Sequence, residues 1–95
     1  MRVYYWQLVA QVMRNSRELA GLTQAGISQR VGASRSAVQA MESSGARLTA
    51  ERMCAWSGAV GRTHVSLIQE VEERKRRLEE DGWEVALDRS QEVGG

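Results

Sequence analysis

The chain has no proline and no phenylalanine, and only one cysteine and one histidine. Without proline, nothing in it can kink a helix by removing a backbone donor. Alanine, arginine, glutamate and glutamine are plentiful, so the composition reads as all-helical. Cys54 alone excludes an intrachain disulfide, and without a cysteine or histidine cluster there is no zinc site to propose. No apolar run approaches the roughly 20 residues of a membrane span, and no signal-peptide pattern opens the chain. The expectation is a cytoplasmic protein with no membrane partner. Nor is there a nucleophile with a base, a carboxylate pair or a phosphate loop, so no enzyme and no cofactor are expected. Cys54 lacks a basic partner at a defined spacing and reads as a packing position, with Ser57.

With 95 residues, 42% of them hydrophobic and 26% charged, the chain suits one domain with a modest core. Its net charge of +1 conceals an uneven distribution. Residues 1–66 carry eight arginines against Glu18, Glu42 and Glu51, a net of +5. From residue 67 onward five basic residues meet nine acids, a net of −4. A basic body can bind phosphates while an acidic segment stays away from them, although for the acidic segment a merely solvated surface is the favoured reading. The division adopted is a domain over 1–66, an extension over 67–88 and a disordered tail over 89–95.

Periodicity outlines the helices. The first is expected over 5–20, with Trp6, Val9, Met13 and Ala20 on a buried stripe and Val12 beside them. Arg17 falls on that stripe and needs a partner there, unless its aliphatic stem covers the core while the charge stays in water. Val3, Tyr4 and Tyr5 have strand propensity, which suits a short strand or an arm. Thr49 caps a helix over 50–60 with Met53, Trp56 and Val60 inward, closed by Gly61. A long last helix from Thr63 ends at Gly82, with Val65, Ile68, Val71 and Leu78 along one seam and Leu67 nearby. Arg74 and Lys75 interrupt that seam, so it does not specify a coiled coil. Lone His64 reads as a surface or capping residue. In WEVALD, Trp83, Val85 and Leu87 alternate against Glu84, Ala86 and Asp88 at the period of a strand. Such a strand needs a partner, either RVYYW of the same chain or its equivalent in a second subunit. Intersubunit pairing is favoured, with Val71, Leu78, Trp83, Val85 and Leu87 as the dimerisation residues.

The stretch LTQAGISQRVGASRSAVQAME, residues 22–42, organises the rest. Thr23 is an N-cap for a helix with Ala25, Ser28 and Val31 inward and Ile27 beside them. Gly32 can adopt the positive φ of a tight turn. Ser34 then caps a second helix, to about residue 43, with Val38 and Met41 inward and Ala37 close by. Its outer face, Arg35, Ser36 and Gln39, is short and polar and meets no acid before Glu42. Such a face suits the DNA major groove, where Arg can bond guanine through two donors and Ser or Gln can read other base edges.

These residues resemble the helix-turn-helix of the phage Cro and repressor-like (XRE) family. Leu22, Thr23, Gln24, Ile27, Gly32, Ser34, Met41 and Glu42 match its pattern, and the likeness covers about residues 9–68. One departure is Gly45, three residues after Glu42, where the family often has glycine two after. The resemblance implies a five-helix, lambda-repressor-like all-α fold with its motif over 23–43, here with an extended last helix and a short C-terminal β-strand. It also implies an ion pair between Arg17 and Glu42. The expected function is sequence-specific binding of double-stranded DNA at a palindromic operator by a homodimer, as a transcriptional repressor. Arg35, Ser36 and Gln39 would read bases; Gln24, Arg14, Arg30 and Arg47 would hold phosphates; Arg2 would serve as an arm in the minor groove. The alternative is a protein-interaction module, such as an antitoxin or antirepressor, whose partner docks on the long helix and WEVALD.

Overall fold

Hydroxyl side chains start four of the five helices in the computed structural model, which describes residues 1–87. Each leaves its backbone extended and accepts a hydrogen bond from the N–H three residues on: Gly26 to Thr23, Ala37 to Ser34, Arg52 to Thr49 and Ser66 to Thr63. These bonds of 2.9 to 3.1 Å satisfy donors that a helix start leaves unpaired. The elements run β1 (Arg2–Tyr4), α1 (Tyr5–Leu19), α2 (Gln24–Val31), α3 (Arg35–Ser44), α4 (Ala50–Ala59), α5 (His64–Glu80) and β2 (Glu84–Ala86). The protein therefore has an all-α, five-helix fold with an extended last helix and a short C-terminal strand. The expected tail over 89–95 lies outside the described residues.

One core serves the described residues. Leu8, Val9, Val12 and Met13 of α1 meet Ile27 of α2, Ala37, Val38 and Met41 of α3, Met53 and Trp56 of α4, and Leu67 and Val71 of α5. Trp56 is fully buried, and its indole N–H donates to Ser16 Oγ at 3.1 Å, while the Ser16 hydroxyl donates to the Met13 carbonyl at 2.6 Å. A polar atom that burial would otherwise penalise is thereby satisfied. The cut drawn at residue 66 does not divide this core, since Leu67 and Val71 belong to it.

Several inward faces differ in phase from the expected ones. α1 packs against both α3 and α5, so it buries a broad strip that includes Leu8, Ala10 and Ser16. Trp6 lies on the same side as buried Met13 and Ala10 but in the first turn, before the buried run begins at Leu8, and is 44% exposed. Ala20 lies past the end of the helix and is also exposed. In α2 only Ile27 is buried; Ala25 is exposed, and Ser28 and Val31 are half-buried. Cys54 points outward from α4, whereas Ser57 is buried. On α5 the inward seam passes through Leu67 and Val71, and Val65 is 60% exposed.

The terminal strands correct the expected pairing. β2 pairs in parallel with β1 of the same chain, in the register Arg2 with Glu84, Val3 with Val85 and Tyr4 with Ala86. The 17 residues of α5, followed by a turn at Gly82, bring the chain back to the start of α1, so the strand finds its partner without a second subunit. The Arg2 guanidinium holds both Glu84 carboxylate oxygens at 3.0 to 3.1 Å. The expected alternation of β2 fails at its end, where Ala86 is inside and Leu87 is 55% exposed. Of the expected dimerisation residues, Val71 is in the core, Leu78 and Val85 pack against it, and Trp83 is half-buried. Leu87 alone of the five is exposed.

Candidate nucleic-acid interface

Gly32 makes the turn between α2 and α3. Its φ of 66° lies in the left-handed region, and its N–H donates to the Ser28 carbonyl, closing α2 just before Ser34 caps α3. An L-residue with a β-carbon would be strained there by about 1 to 2 kcal/mol. The resulting angle between the helices buries Ala37, Val38 and Met41 and leaves Arg35, Ser36 and Gln39 exposed in a row along the outside of α3.

Beneath this row lies a buried charge network. Arg17 Nε donates to Glu42 Oε2 at 2.5 Å and Nη2 donates to Oε1 at 3.1 Å. Arg17 Nη1 donates to the Leu22 carbonyl at 2.7 Å, and Gln24 Nε2 donates to Glu42 Oε1 at 3.1 Å. Only 11% of the Arg17 side chain and 4% of that of Glu42 are exposed. The hydrogen bond to Glu42 is the first cause that raises the Arg17 pKa above its ordinary value, burial acting the other way. The network joins α1, the loop before α2, α2 and α3. It also turns Glu42, the acid of α3, inward, so the carboxylate that borders Gln39 is enclosed and held by Arg17 and Gln24.

The other expected contacts are distributed around this row. Arg14, Gln24 and Gln39 meet Ser43 in a cleft of about 200 Å³ whose walls include Arg17 and Glu42. Arg14 is exposed, with only a loose 3.8 Å pairing to Glu18. Arg30 and Arg47 are exposed but lie outside the cleft. Arg47 adopts a φ of 64°, and its carbonyl accepts from Arg52 Nη1 at 2.6 Å, which fixes the loop after α3. Arg2 is engaged by Glu84 in the terminal sheet, so the expectation of a free arm is not met. Ser43 was not anticipated as part of this surface; its signal was its place one turn after Gln39 on the polar side of α3. Gln24, expected only as a phosphate contact, also bonds Glu42, which only the folded arrangement reveals. Among the described residues no three His, Cys, Asp or Glu side chains cluster as metal ligands, and no helix is long and apolar enough to cross a membrane.

No family model matches the chain, and no curated protein matches it by sequence. A solved structure does share the fold. It is the crystal structure of a point mutant of the restriction-modification controller protein C.Esp1396I, similar to this chain with a TM-score of 0.68 and 16% sequence identity. The likeness covers 78% of this chain and 94% of that one. At such low identity it establishes the helical architecture, and the chemistry of the site has to be argued from this chain's own residues.

Proposed function

We propose that the protein is a sequence-specific DNA-binding transcription regulator of the Cro and phage repressor-like type, acting in the cytoplasm as a repressor and binding a palindromic operator as a homodimer. The observation that carries this reading is the acid-free outer face of α3. Arg35, Ser36 and Gln39 are exposed together, while Glu42 is folded inward onto Arg17 and Gln24. A helix of this kind fits the major groove, where Arg35 offers two donors to guanine and Gln39 an acceptor and a donor to adenine. Ser36 lies between them for a third base edge. Gln24 gives one amide hydrogen to Glu42 and keeps a second for a phosphate, beside the backbone N–H groups at the start of α2. Arg14, Arg30 and Arg47 are the remaining phosphate contacts in this reading.

The test is binding to random and selected duplexes over a range of salt. Affinity should fall steeply as salt rises and should survive best on one palindrome. Arg35→Ala should cost about 1 to 3 kcal/mol at the selected site and relax the preference at one base position. An equal loss on every sequence would reassign Arg35 to phosphate binding. Absence of binding to any genomic fragment at low salt would reject the reading and favour a protein partner.

A further inference from the structure

α3 ends directly on the backbone of α1. Gly45 caps it with a φ of 76°, and the Gly45 N–H donates to the Met41 carbonyl at 3.2 Å. A β-carbon at this position would stand 2.8 Å from the Trp6 carbonyl oxygen and 3.1 Å from the Trp6 β-carbon. The other described glycines of positive φ, at positions 21, 32, 61 and 82, would meet nothing within 4 Å. Among the described residues, Gly45 alone combines a left-handed turn with a backbone approach too close for any side chain. The opposite wall of the contact is held in place. Trp6 lies in the first turn of α1, where the Tyr4 N–H donates to the Gln7 side-chain oxygen at 2.8 Å, and the residues before it are paired into the terminal sheet.

We propose that Gly45 is a positioning residue, whose bare α-carbon seats the C-terminal end of α3 on α1 and so sets the direction in which the Arg35, Ser36 and Gln39 row points. α3 is then tied to α1 at two places, this seat and the Arg17–Glu42 pair. Along the helix axis Glu42 lies about 4.5 Å from Gly45 and about 10.5 Å from Arg35. A substituent that opens the seat from 2.8 Å to an ordinary contact of 3.4 Å moves that end of the helix. The displacement is about 0.6 Å, and turning about Glu42 it becomes a swing of about 1.4 Å at Arg35. Hydrogen bonds to base edges tolerate only about 0.5 Å in length. Attraction to phosphates is less demanding of geometry. The consequence for base reading rests on the DNA-binding function proposed above, whereas the seat itself does not.

Three variants separate the contact from the strain. Gly45→Ala adds both a β-carbon at the seat and a side chain at positive φ. Gly45→Asn adds the same β-carbon, but asparagine tolerates the left-handed conformation better. Gly61→Ala adds the strain alone, at a φ of 73° with open space around it. Binding is measured for the full chain against random duplexes and the duplex selected by wild type, and corrected for the folded fraction from urea unfolding. The preference for the selected duplex should fall by about tenfold or more in both Gly45 variants, while affinity for random duplexes stays within about threefold of wild type. Gly61→Ala should lose stability and keep the preference. A preference unchanged by Gly45→Ala, or lowered equally by Gly61→Ala, would overturn the proposal. Amide chemical shifts of the free protein read the seat without DNA. Both Gly45 variants should perturb α3 as far as Arg35, and a perturbation confined to its last turn would equally overturn the proposal. A chain that shows the full perturbation but binds no DNA would retain the seat and lose the DNA-binding function.

Discussion

Two ion pairs in this protein close to the same distance and differ in everything else. Arg17 meets Glu42 at 2.5 Å, and Arg76 meets Glu73 at 2.5 Å. The first pair is almost wholly enclosed, links α1 to α3, and shares its oxygens and protons with Gln24 and the Leu22 carbonyl. The second lies on one face of α5, 57% and 42% exposed, and joins residues that a single helix already holds three apart. Separation alone therefore does not set the worth of a contact. In the enclosed pair neither charge has water to return to, so losing one partner strands the other. On α5 water and salt replace a missing partner at little cost. The enclosed pair is also the one that fixes the proposed recognition helix against the rest of the fold.

The largest effect should follow from breaking the enclosed pair on one side. Glu42→Ala leaves the Arg17 guanidinium buried without its carboxylate and should lower stability by about 3 to 5 kcal/mol, read from urea unfolding. A loss below about 1 kcal/mol would put the pair in the exposed class, where such values are usual. Replacing both partners sharpens the point. Arg17→Met combined with Glu42→Leu removes the stranded charge and should recover most of the deficit. The Leu22 carbonyl and the Gln24 amide lose partners, so about 1 to 3 kcal/mol should remain unrecovered wherever water cannot reach them. If the double variant also binds its selected duplex as wild type does, the network serves stability alone and not the placement of α3.

What could be read from the chain beforehand divides along the same line between local and distant causes. The caps at Thr23, Ser34 and Thr49 and the turn at Gly32 were legible, because each depends on one side chain and the backbone within a turn of it. The outer row of α3 was legible for the same reason. The Arg17–Glu42 pairing was reached through the family resemblance; spacing alone showed only that Arg17 needed some partner. Periodicity gave the buried face of α1 at Val9, Val12 and Met13 but misplaced the phase of α5 at Val65, since phase depends on which neighbours a helix packs against. The pairing of β2 was unreadable for a related reason. Whether it reaches β1 of its own chain depends on where α5 ends relative to the start of α1, a distance that no local pattern encodes. The same blindness hid the close approach of Gly45 to Trp6.

The smallest effect tests the exposed side of the comparison. Arg76 bonds Glu73 and Glu80 along α5, and its hydrogen bond is the first cause that holds the Glu73 carboxyl below the ordinary carboxylate range. A lowered folded-state pKa contributes stability at pH values above the ordinary carboxylate range, and that contribution disappears as pH falls through the lowered value. Arg76→Ala should therefore differ from wild type only slightly at neutral pH, and the two melting curves should converge in acid. Raising salt to about 1 M, where the screening length is about 3 Å, should close the neutral-pH difference as well. The deficit of Glu42→Ala should persist under the same salt, because its stranded charge lies where ions do not reach. A neutral-pH difference for Arg76→Ala that matched the Glu42→Ala deficit, or that survived high salt, would mean that α5 carries a tertiary constraint through Arg76 and that exposure does not separate the two pairs.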